Sequence, residues 1–233
     1  MNFKKILKQV PFVYDTYKIA RFLRQQIFMK HPKMLIGELE VFKKILPHLE
    51  TIFDIGARYD TDYIEISKGR SINYHLFEIN PKFFKKLQKK VKVYSNEKIY
   101  LNNFGVGHKK DKVNYFLNSE SIYNIFSNNF LSLFSKKLDI FPLTKYIKEN
   151  DIDTINFLKT DIELFDYFAL LGLKDYLVKI NFVQFEFGVG APYKNKIIKE
   201  EDYLDLFHNK YNFFLIRDEI NPIFSCLPKD VDL

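Results

Sequence analysis

Short apolar segments alternate with segments of helical spacing along most of this chain, from residue 51 to residue 227. The apolar segments are rich in β-branched and aromatic residues, as buried strands are. Strands that alternate with helices form βαβ units, so the pattern predicts an α/β fold with a mainly parallel sheet. The predicted strands are 52–56, 74–79, 98–105, 154–161, 179–188, 213–217 and 223–227, the last two as an antiparallel pair. The predicted helices are 61–67, 82–90, 143–150, 164–176 and 199–211.

The sequence after the third predicted strand is less regular. Residues 112–117 alternate between polar and apolar and predict a small hairpin with residues 98–105. Residues 119–137 are polar and rich in Asn and Ser, with scattered Phe and Leu. We expect a loop with a short helix there, on the substrate side of the sheet.

The basic charge is concentrated at one end of the chain. Within a net charge of +7, residues 1–50 hold 10 Lys and Arg against 4 Asp and Glu, and residues 51–233 hold 26 against 25. We therefore predict two parts, a basic helical extension over 1–50 and one α/β domain over 51–233. The near-neutral domain disfavours nucleic acid as the main substrate.

Residues 3–30 place apolar and basic side chains at roughly helical spacing, interrupted at Pro11. One interpretation is a helix packed on the domain with a solvated basic face. The other is a basic amphipathic helix that rests on an anionic membrane or an acidic glycan. We expect residues 1–30 to be the part that contacts a membrane, if the second interpretation holds.

The expected compartment follows from three negative observations. No apolar run approaches the ~20 residues of a membrane span. The N-terminus lacks the hydrophobic segment and small-residue cleavage site of a signal peptide. The single cysteine, Cys226, has no partner for an internal disulfide, which suits a reducing compartment. We therefore expect a cytoplasmic protein, peripheral to a membrane if the basic segment binds one.

Glycine and acidic residues gather where the predicted strands end. Five of the eight glycines do so, and glycine there permits a sharp turn or a close approach to a ligand. Either role explains one glycine alone, whereas five at one edge favour a shared cleft. The glycines are Gly56, Gly105, Gly107, Gly188 and Gly190, and the acids are Asp54, Glu78, Asp161, Glu163 and Glu186.

A carboxylate at the carboxyl end of a strand can accept hydrogen bonds from the ribose of a nucleotide. Glu78 follows the Gly56 turn by about 20 residues, the usual interval for that role. A helix cap or a surface ion pair is the alternative for Glu78. The sequence therefore predicts a nucleoside-bearing cofactor between Gly56 and Glu78.

Two pairs of polar residues stand two positions apart and so share a face in extended chain. Asp161 and Glu163 are candidates for a general base, because one of two adjacent carboxyl groups has a raised pKa. Alternatively, Asp161 caps the next helix and Glu163 is its first-turn acid. Gln184 and Glu186 meet either a ligand or a neighbouring helix.

Other chemistries lack support in the sequence. The five histidines show no metal-ligand spacing, and no metal is expected. Neither a G-x-S-x-G nucleophile motif nor a phosphate-binding loop motif is present.

Five segments in order resemble the FkbM family of S-adenosylmethionine-dependent methyltransferases over roughly residues 51–190. The resemblance implies a Rossmann-like class I methyltransferase fold, with a seven-stranded sheet, flanking helices and an antiparallel last strand. It also implies methyl transfer from S-adenosylmethionine to an oxygen, and we expect the acceptor to be a sugar hydroxyl of a glycan or glycolipid intermediate. The five segments are Ile52–Ala57, His75–Pro81, Asn102–Gly107, Ile155–Glu163 and Gln184–Glu186.

The resemblance also assigns residues to roles. Glu78 binds the ribose hydroxyls, Asn103 and Phe104 lie near the adenine, and Asp161 faces the methyl-transfer centre. A base comes from Asp161, Glu163 or Glu186. The cofactor-binding residues that it implies are Asp54, Gly56, Ala57, Arg58, Glu78, Ile79, Asn103, Phe104 and Asp161.

Two positions depart from the family pattern. The family commonly has Gly-Ala-Asn-x-Gly after the first strand, where this chain has Arg58 and Asp60 in place of Asn and the second Gly. Leu164 stands where the fourth-strand motif has Gly. These departures support one alternative, a catalytically inactive binding module with the same sheet. A second alternative is an RNA methyltransferase, which the near-zero charge of residues 51–233 disfavours.

Overall fold

A computed structural model describes residues 36–95, 97–116, 135–162, 165–186, 192–193, 196–207, 211–215 and 223–228. Residues 36–233 form one compact unit. The division of the chain at residue 50 stays a prediction. None of the helices in the described ranges has the length and apolar character that a membrane crossing requires.

Twelve strands and six α-helices lie in the described ranges. The strands are β1 (Thr51–Ile55), β2 (Asn73–Phe77), β3 (Lys98–Asn102), β4 (Gly105–Val106), β5 (Asp111–Phe116), β6 (Ser135–Phe141), β7 (Ile155–Thr160), β8 (Ile180–Glu186), β9 (Pro192–Tyr193), β10 (Lys196–Ile197), β11 (Tyr211–Leu215) and β12 (Ile223–Pro228). The helices are α1 (Ile36–Ile45), α2 (Asp62–Ile66), α3 (Pro81–Val91), α4 (Leu143–Glu149), α5 (Asp166–Leu171) and α6 (Glu200–Phe207). Short 3₁₀ turns cover Leu46–His48 and Lys174–Lys179.

The main sheet has the strand order β11-β12-β8-β7-β1-β2-β3. Five strands, from β8 to β3 in that order, are parallel, while β12 pairs antiparallel with both β8 and β11 and so is the one strand of this sheet that runs in the opposite direction. The predicted mainly parallel sheet with flanking helices is therefore confirmed. Its carboxyl edge brings together the loops that follow β1, β2 and β7, which are neighbours in this order.

The loop after β3 does not continue the main sheet as predicted. β5 pairs antiparallel with β6 and not with β3, in a separate three-stranded sheet of order β4-β6-β5. The predicted hairpin is wrong because the partner of β5 lies beyond residue 134, too far along the chain for a local pattern to reveal. Residues 119–134 of the predicted substrate-side loop lie outside the described residues, and residues 135–137 of that prediction belong to β6.

Gly105 and Gly107 accordingly do not end a strand of the main sheet. A Cβ on Gly105 would lie 2.5 Å from Ile79 Cδ1, and one on Gly107 would lie 2.7 Å from Ile140 Cγ2. These two glycines make room for apolar packing within the protein. Their part in a ligand cleft stays a prediction.

Helices cover both faces of the main sheet. Strand alternation puts Phe53 and Ile55 on the face that packs with α4 and α5, in the main core cluster. Ile52 and Asp54 point to the other face. There Phe42 of α1 is fully buried, with its ring 4.4 Å from that of Tyr63 in α2 and 5.6 Å from that of Phe157 in β7.

Helix α3 begins where the sequence places it and for a clear local reason. Asn80 is the N-cap, and its side chain accepts hydrogen bonds from the backbone N–H groups of Lys82 (2.9 Å) and Phe83 (3.4 Å). Pro81 occupies the first helical position, where no N–H is needed. The cap directly follows Glu78 and Ile79, so it fixes the start of α3 at the carboxyl edge of the sheet.

Candidate active site

Three of the predicted acidic residues meet at the carboxyl edge of the main sheet. Asp54 lies near the end of β1, Glu78 directly follows β2, and Asp161 directly follows β7. Because β2, β1 and β7 are adjacent, the three carboxylates lie along one stretch of that edge. The sequence predicted this convergence from the strand ends alone.

Glu78 is held by backbone donors from two loops. Its Oε2 accepts from the backbone N–H of Arg58 (2.8 Å), and its Oε1 accepts from that of Asn80 (2.6 Å). Burial raises the pKa of Glu78 to about 7, although these two hydrogen bonds act in the opposite direction. The carboxylate therefore joins the turn after β1 to the cap of α3, which excludes a surface ion pair as its role.

The turn after β1 contains two residues with positive φ. Gly56 has φ +85°, and a Cβ there would lie 2.2 Å from the carbonyl oxygen of Asp161. Glycine is thus required by the close approach of the loop after β7. Arg58 has φ +53°, and its guanidinium lies 5.2 Å from the ring centroid of Tyr59 and 5.1 Å from that of Phe83.

The residues predicted to lie near adenine have distinct surroundings. The side-chain amide of Asn103 donates to the backbone carbonyls of Glu78 (2.7 Å) and Ile79 (3.3 Å). Asn103 therefore fixes the loop that carries Glu78. The Phe104 ring packs 5.5 Å from Phe77 and 5.6 Å from Phe141. Their contact with a cofactor stays a prediction.

Lys159 is a site residue that the sequence reasoning missed. It lies in β7 directly opposite Asp54 of β1, with its Nζ 3.8 Å from Asp54 Oδ1 and 3.4 Å from Asp161 Oδ2. Burial alone would lower the pKa of Lys159, but the carboxylates of Asp54 and Asp161 outweigh it and hold the pKa well above its usual value. The signal in the sequence was a lone lysine inside a buried strand, which needs a counter-charge.

Asp54 depends on that lysine. Burial raises the pKa of Asp54, and Lys159 is the main group that opposes the rise. Asp54 Oδ1 is buried and has no hydrogen-bond donor within the described residues. The side chain of Asp161, by contrast, is 47% exposed. The site thus contains an inner carboxylate and an outer carboxylate, with an ammonium between them.

Gln184 extends this polar row into the sheet. It lies opposite Lys159 in the parallel pair β7–β8, and its amide donates to the hydroxyl of Tyr63 in α2 (3.2 Å). Of the two alternatives for Gln184, the neighbouring helix is therefore the partner that the structure provides. Burial raises the pKa of Tyr63 well above its usual value, so its hydroxyl stays protonated.

Asp166, not Asp161, organises the start of α5. Asp166 is fully buried, and its Oδ1 accepts from the hydroxyl of Thr160 (2.7 Å) and the backbone N–H of Ile162 (3.3 Å). Burial, together with the negative charge of Asp161, raises the pKa of Asp166 to about 7. The N-cap of α5 is Phe165, so the alternative role of Asp161 as that cap is wrong.

The remaining predicted residues cannot be placed in the site. Glu163, Gly188 and Gly190 lie outside the described residues, and Glu186 is described only as the last residue of β8. Within the described ranges, no group of three or more His, Cys, Asp or Glu side chains is arranged to hold a metal ion.

Three solved structures illustrate the likeness of the fold, each at 16% sequence identity or less. Monomeric WbdD superposes with a TM-score of 0.52 at 8% identity, over 90% of this chain and 45% of that one. The N-terminal domain of human METTL16 in complex with SAH superposes with a TM-score of 0.47 at 11% sequence identity, and the match covers 84% of this chain and 72% of that one. M. capricolum TrmK in complex with S-adenosyl-homocysteine superposes with a TM-score of 0.47 at 16% sequence identity, and the match covers 84% of this chain and 70% of that one.

The WbdD likeness shows the fold alone, and this chain spans less than half of that protein. A search of the curated proteins gives no match. The family comparison is decisive, because the Methyltransferase FkbM domain matches residues 54–215. That range includes Asp54, Glu78, Lys159 and Asp161, and it covers most of the chain. The chain therefore belongs to the FkbM methyltransferase family and is a methyltransferase that uses S-adenosylmethionine.

Proposed function

We propose that this protein transfers a methyl group to a hydroxyl oxygen of a sugar, in a glycan or a glycolipid intermediate. The observation that carries the proposal is the half-exposed carboxylate of Asp161 on the same edge as the buried carboxylate of Glu78. An exposed carboxylate beside the methyl donor is suited to accept the proton of a hydroxyl. The near-neutral charge of residues 51–233 supports an uncharged acceptor over a nucleic acid.

The residues present fit S-adenosylmethionine. A carboxylate oxygen can accept two hydrogen bonds, and each oxygen of Glu78 accepts one backbone N–H. Each therefore has capacity for a ribose hydroxyl. Asp54 Oδ1, which no described group donates to, matches an ammonium donor such as that of the methionine moiety. Glu78 would hold the ribose, and Asp54 with the turn at Gly56–Arg58 would face the methionine.

The chemistry divides between the cofactor and the chain. S-adenosylmethionine supplies an activated methyl group, so the protein needs only to orient the acceptor and remove its proton. Asp161 takes that proton at its carboxylate. Lys159, 3.4 Å from Asp161 Oδ2, holds the carboxylate in place. Glu163 and Glu186 remain alternative bases.

Calorimetric titration with S-adenosylhomocysteine tests the cofactor assignment. We expect Glu78→Gln to weaken binding by about 10-fold or more, because one charged acceptor becomes a donor. Glu149→Gln, at an exposed i,i+4 ion pair with Lys145, is the matched control. If the wild type does not bind at millimolar ligand, the protein is an inactive module and the proposal is wrong.

Methyl transfer to sugar acceptors tests the base. Asp161→Asn should lower kcat by about 10²- to 10⁴-fold. A rise in the Kd of the cofactor with an unchanged kcat at saturation would instead make Asp161 a cofactor ligand. Transfer to RNA with a steep salt dependence, in place of transfer to a sugar, would overturn the choice of acceptor.

A further inference from the structure

Helix α3 carries a one-sided array of lysines that the proposed reaction does not use. At about 100° per residue, five lysines of this helix fall on one side of it. All five are exposed, whereas Phe83 and Leu87 of the same helix are buried. The lysines are Lys82, Lys85, Lys86, Lys89 and Lys90.

These charges have no neutralising partner within the described residues. None of the five takes part in an ion pair there. Between Lys82 and Lys98 the chain has seven lysines and one acidic residue, Glu97, whose carboxylate accepts from the backbone N–H of Gly69. Lysines at i and i+4 repel each other along the helix. An array that the protein does not neutralise points to an external anion.

An aromatic ring keeps the charges together at one end of the array. Lys86 Nζ lies 4.7 Å and Lys90 Nζ 5.3 Å from the ring centroid of Tyr59. The guanidinium of Arg58 lies 5.2 Å from the same centroid. Three cations around one ring form a local concentration of positive charge. The acidic residue closest in sequence to Tyr59 is Asp60, which lies in the same turn.

An exposed apolar residue lies just beyond the helix. Val93 is 73% exposed and follows Lys92, which is also exposed. Residues 82–98 contain no arginine, and the Tyr59 ring is already surrounded by Lys86, Lys90 and Arg58. The patch is therefore dominated by lysine, and not by the aromatic and arginine stacking groups typical of nucleic-acid binding. Lysines around an exposed aliphatic side chain suit the interface of a bilayer.

We propose that the lysine face of α3, together with Val93, docks the protein on an anionic phospholipid membrane. Helix α3 starts at Pro81, directly after the cap that holds Glu78. Docking would therefore bring the proposed active-site edge next to the lipid surface. That orientation suits a lipid-linked acceptor and in this respect rests on the proposed function, whereas the docking itself does not.

Sedimentation with phosphatidylcholine vesicles, with and without phosphatidylglycerol, tests the proposal on the full chain. The variant Lys85→Gln/Lys86→Gln/Lys89→Gln should lose on the order of 100-fold in partition to the anionic vesicles, about fivefold for each lysine. Glutamine has a helix propensity close to that of lysine, so α3 should be retained, as far-ultraviolet circular dichroism will show. Lys136→Gln/Lys137→Gln/Lys148→Gln removes the same charge from exposed positions elsewhere and should bind normally.

Two outcomes would overturn the proposal. One is a triple variant in α3 that binds anionic vesicles as well as its control, with binding lost only when residues 1–30 are deleted. The other is no vesicle binding by the wild type but binding to poly(U), which would make α3 a nucleic-acid surface. Calorimetry with S-adenosylhomocysteine on the same samples separates the claims, since vesicle binding without cofactor binding would contradict only the proposed function.

Discussion

Replacing Lys159 by methionine should reveal how strongly the site depends on one buried charge. The ammonium lies 3.8 Å from Asp54 Oδ1 and 3.4 Å from Asp161 Oδ2. Lys159→Met keeps an unbranched side chain, one heavy atom shorter, but leaves the carboxylate of Asp54 buried without the lysine cation. Removal of one partner from a buried ion pair costs about 3–5 kcal/mol, so we expect the free energy of unfolding to fall by that amount at pH 8.

The loss should depend on pH in a defined direction. Burial already raises the pKa of Asp54, and the variant removes the main group that opposes the rise. A carboxyl group with a raised folded-state pKa favours the fold at low pH and loses that contribution as pH rises through the pKa. Lys159→Met should therefore be less destabilised relative to the wild type at pH 5 than at pH 8.

A double-mutant cycle completes the test. Asp54→Asn removes the buried charge, so the double variant should be about 2 kcal/mol more stable than the sum of the two single losses predicts. Urea unfolding at both pH values gives the free energies. Lys112→Met, which breaks an exposed pair with Asp139, is the control and should lose less than about 1 kcal/mol. Strict additivity of the two single losses, or a loss for Lys159→Met no larger than the control's, would refute the reasoning.

Three further predictions concern other parts of the site and the core. Gly56→Ala should lower the free energy of unfolding by about 2–4 kcal/mol, because φ is +85° and the new Cβ would lie 2.2 Å from the carbonyl oxygen of Asp161. Urea unfolding measures this loss, and the turnover of the enzyme should fall with it. Burial lowers the pKa of His75 to about 4 from its ordinary 6.5. The contribution of neutral His75 to the free energy of unfolding is complete above pH 6.5 and should fall by about 3 kcal/mol as the pH drops to 4. A His75→Phe variant should lack this part of the pH dependence. Burial raises the pKa of Asp166 to about 7, so Asp166→Asn should gain stability relative to the wild type as pH rises from 4 to 8, by up to about 4 kcal/mol; an unchanged difference would contradict this assignment.

The order of the strands and helices along the chain could be predicted from the sequence, because it depends on local patterns of apolar and polar residues. Apolar runs and helical spacing placed β1, β2, β7 and β8 within a residue or two of their observed bounds. The glycine turn and the interval to Glu78 located the carboxyl edge. These signals need no knowledge of which strands are neighbours.

Features that depend on which strands lie side by side in the sheet could not be predicted from the sequence. Lys159 became a site residue only once β7 was seen to lie against β1, opposite Asp54. The partner of β5 was missed for the same reason, since β6 lies beyond a long intervening segment. Gly105 looked like a strand terminus, but its role is to accommodate Ile79 and Ile140. In each case the deciding contact joins residues far apart in the chain.

The net charge of the domain shows a second reason why sequence-based prediction is incomplete. The net charge of residues 51–233 is close to zero, which disfavours nucleic acid as the main substrate but does not show where the charges lie. Seven lysines between Lys82 and Lys98 are hidden in that sum by acidic residues elsewhere. Only the helix geometry collects five of them on one exposed side.

The position of Phe42 has a practical consequence for anyone who prepares shorter versions of this protein. Its ring fills the space between Tyr63 and Phe157, upstream of the point where the family match begins. A fragment that started at residue 51 would expose those two rings to water and would be prone to aggregate. The shortest soluble fragment should therefore retain the helix at Ile36–Ile45.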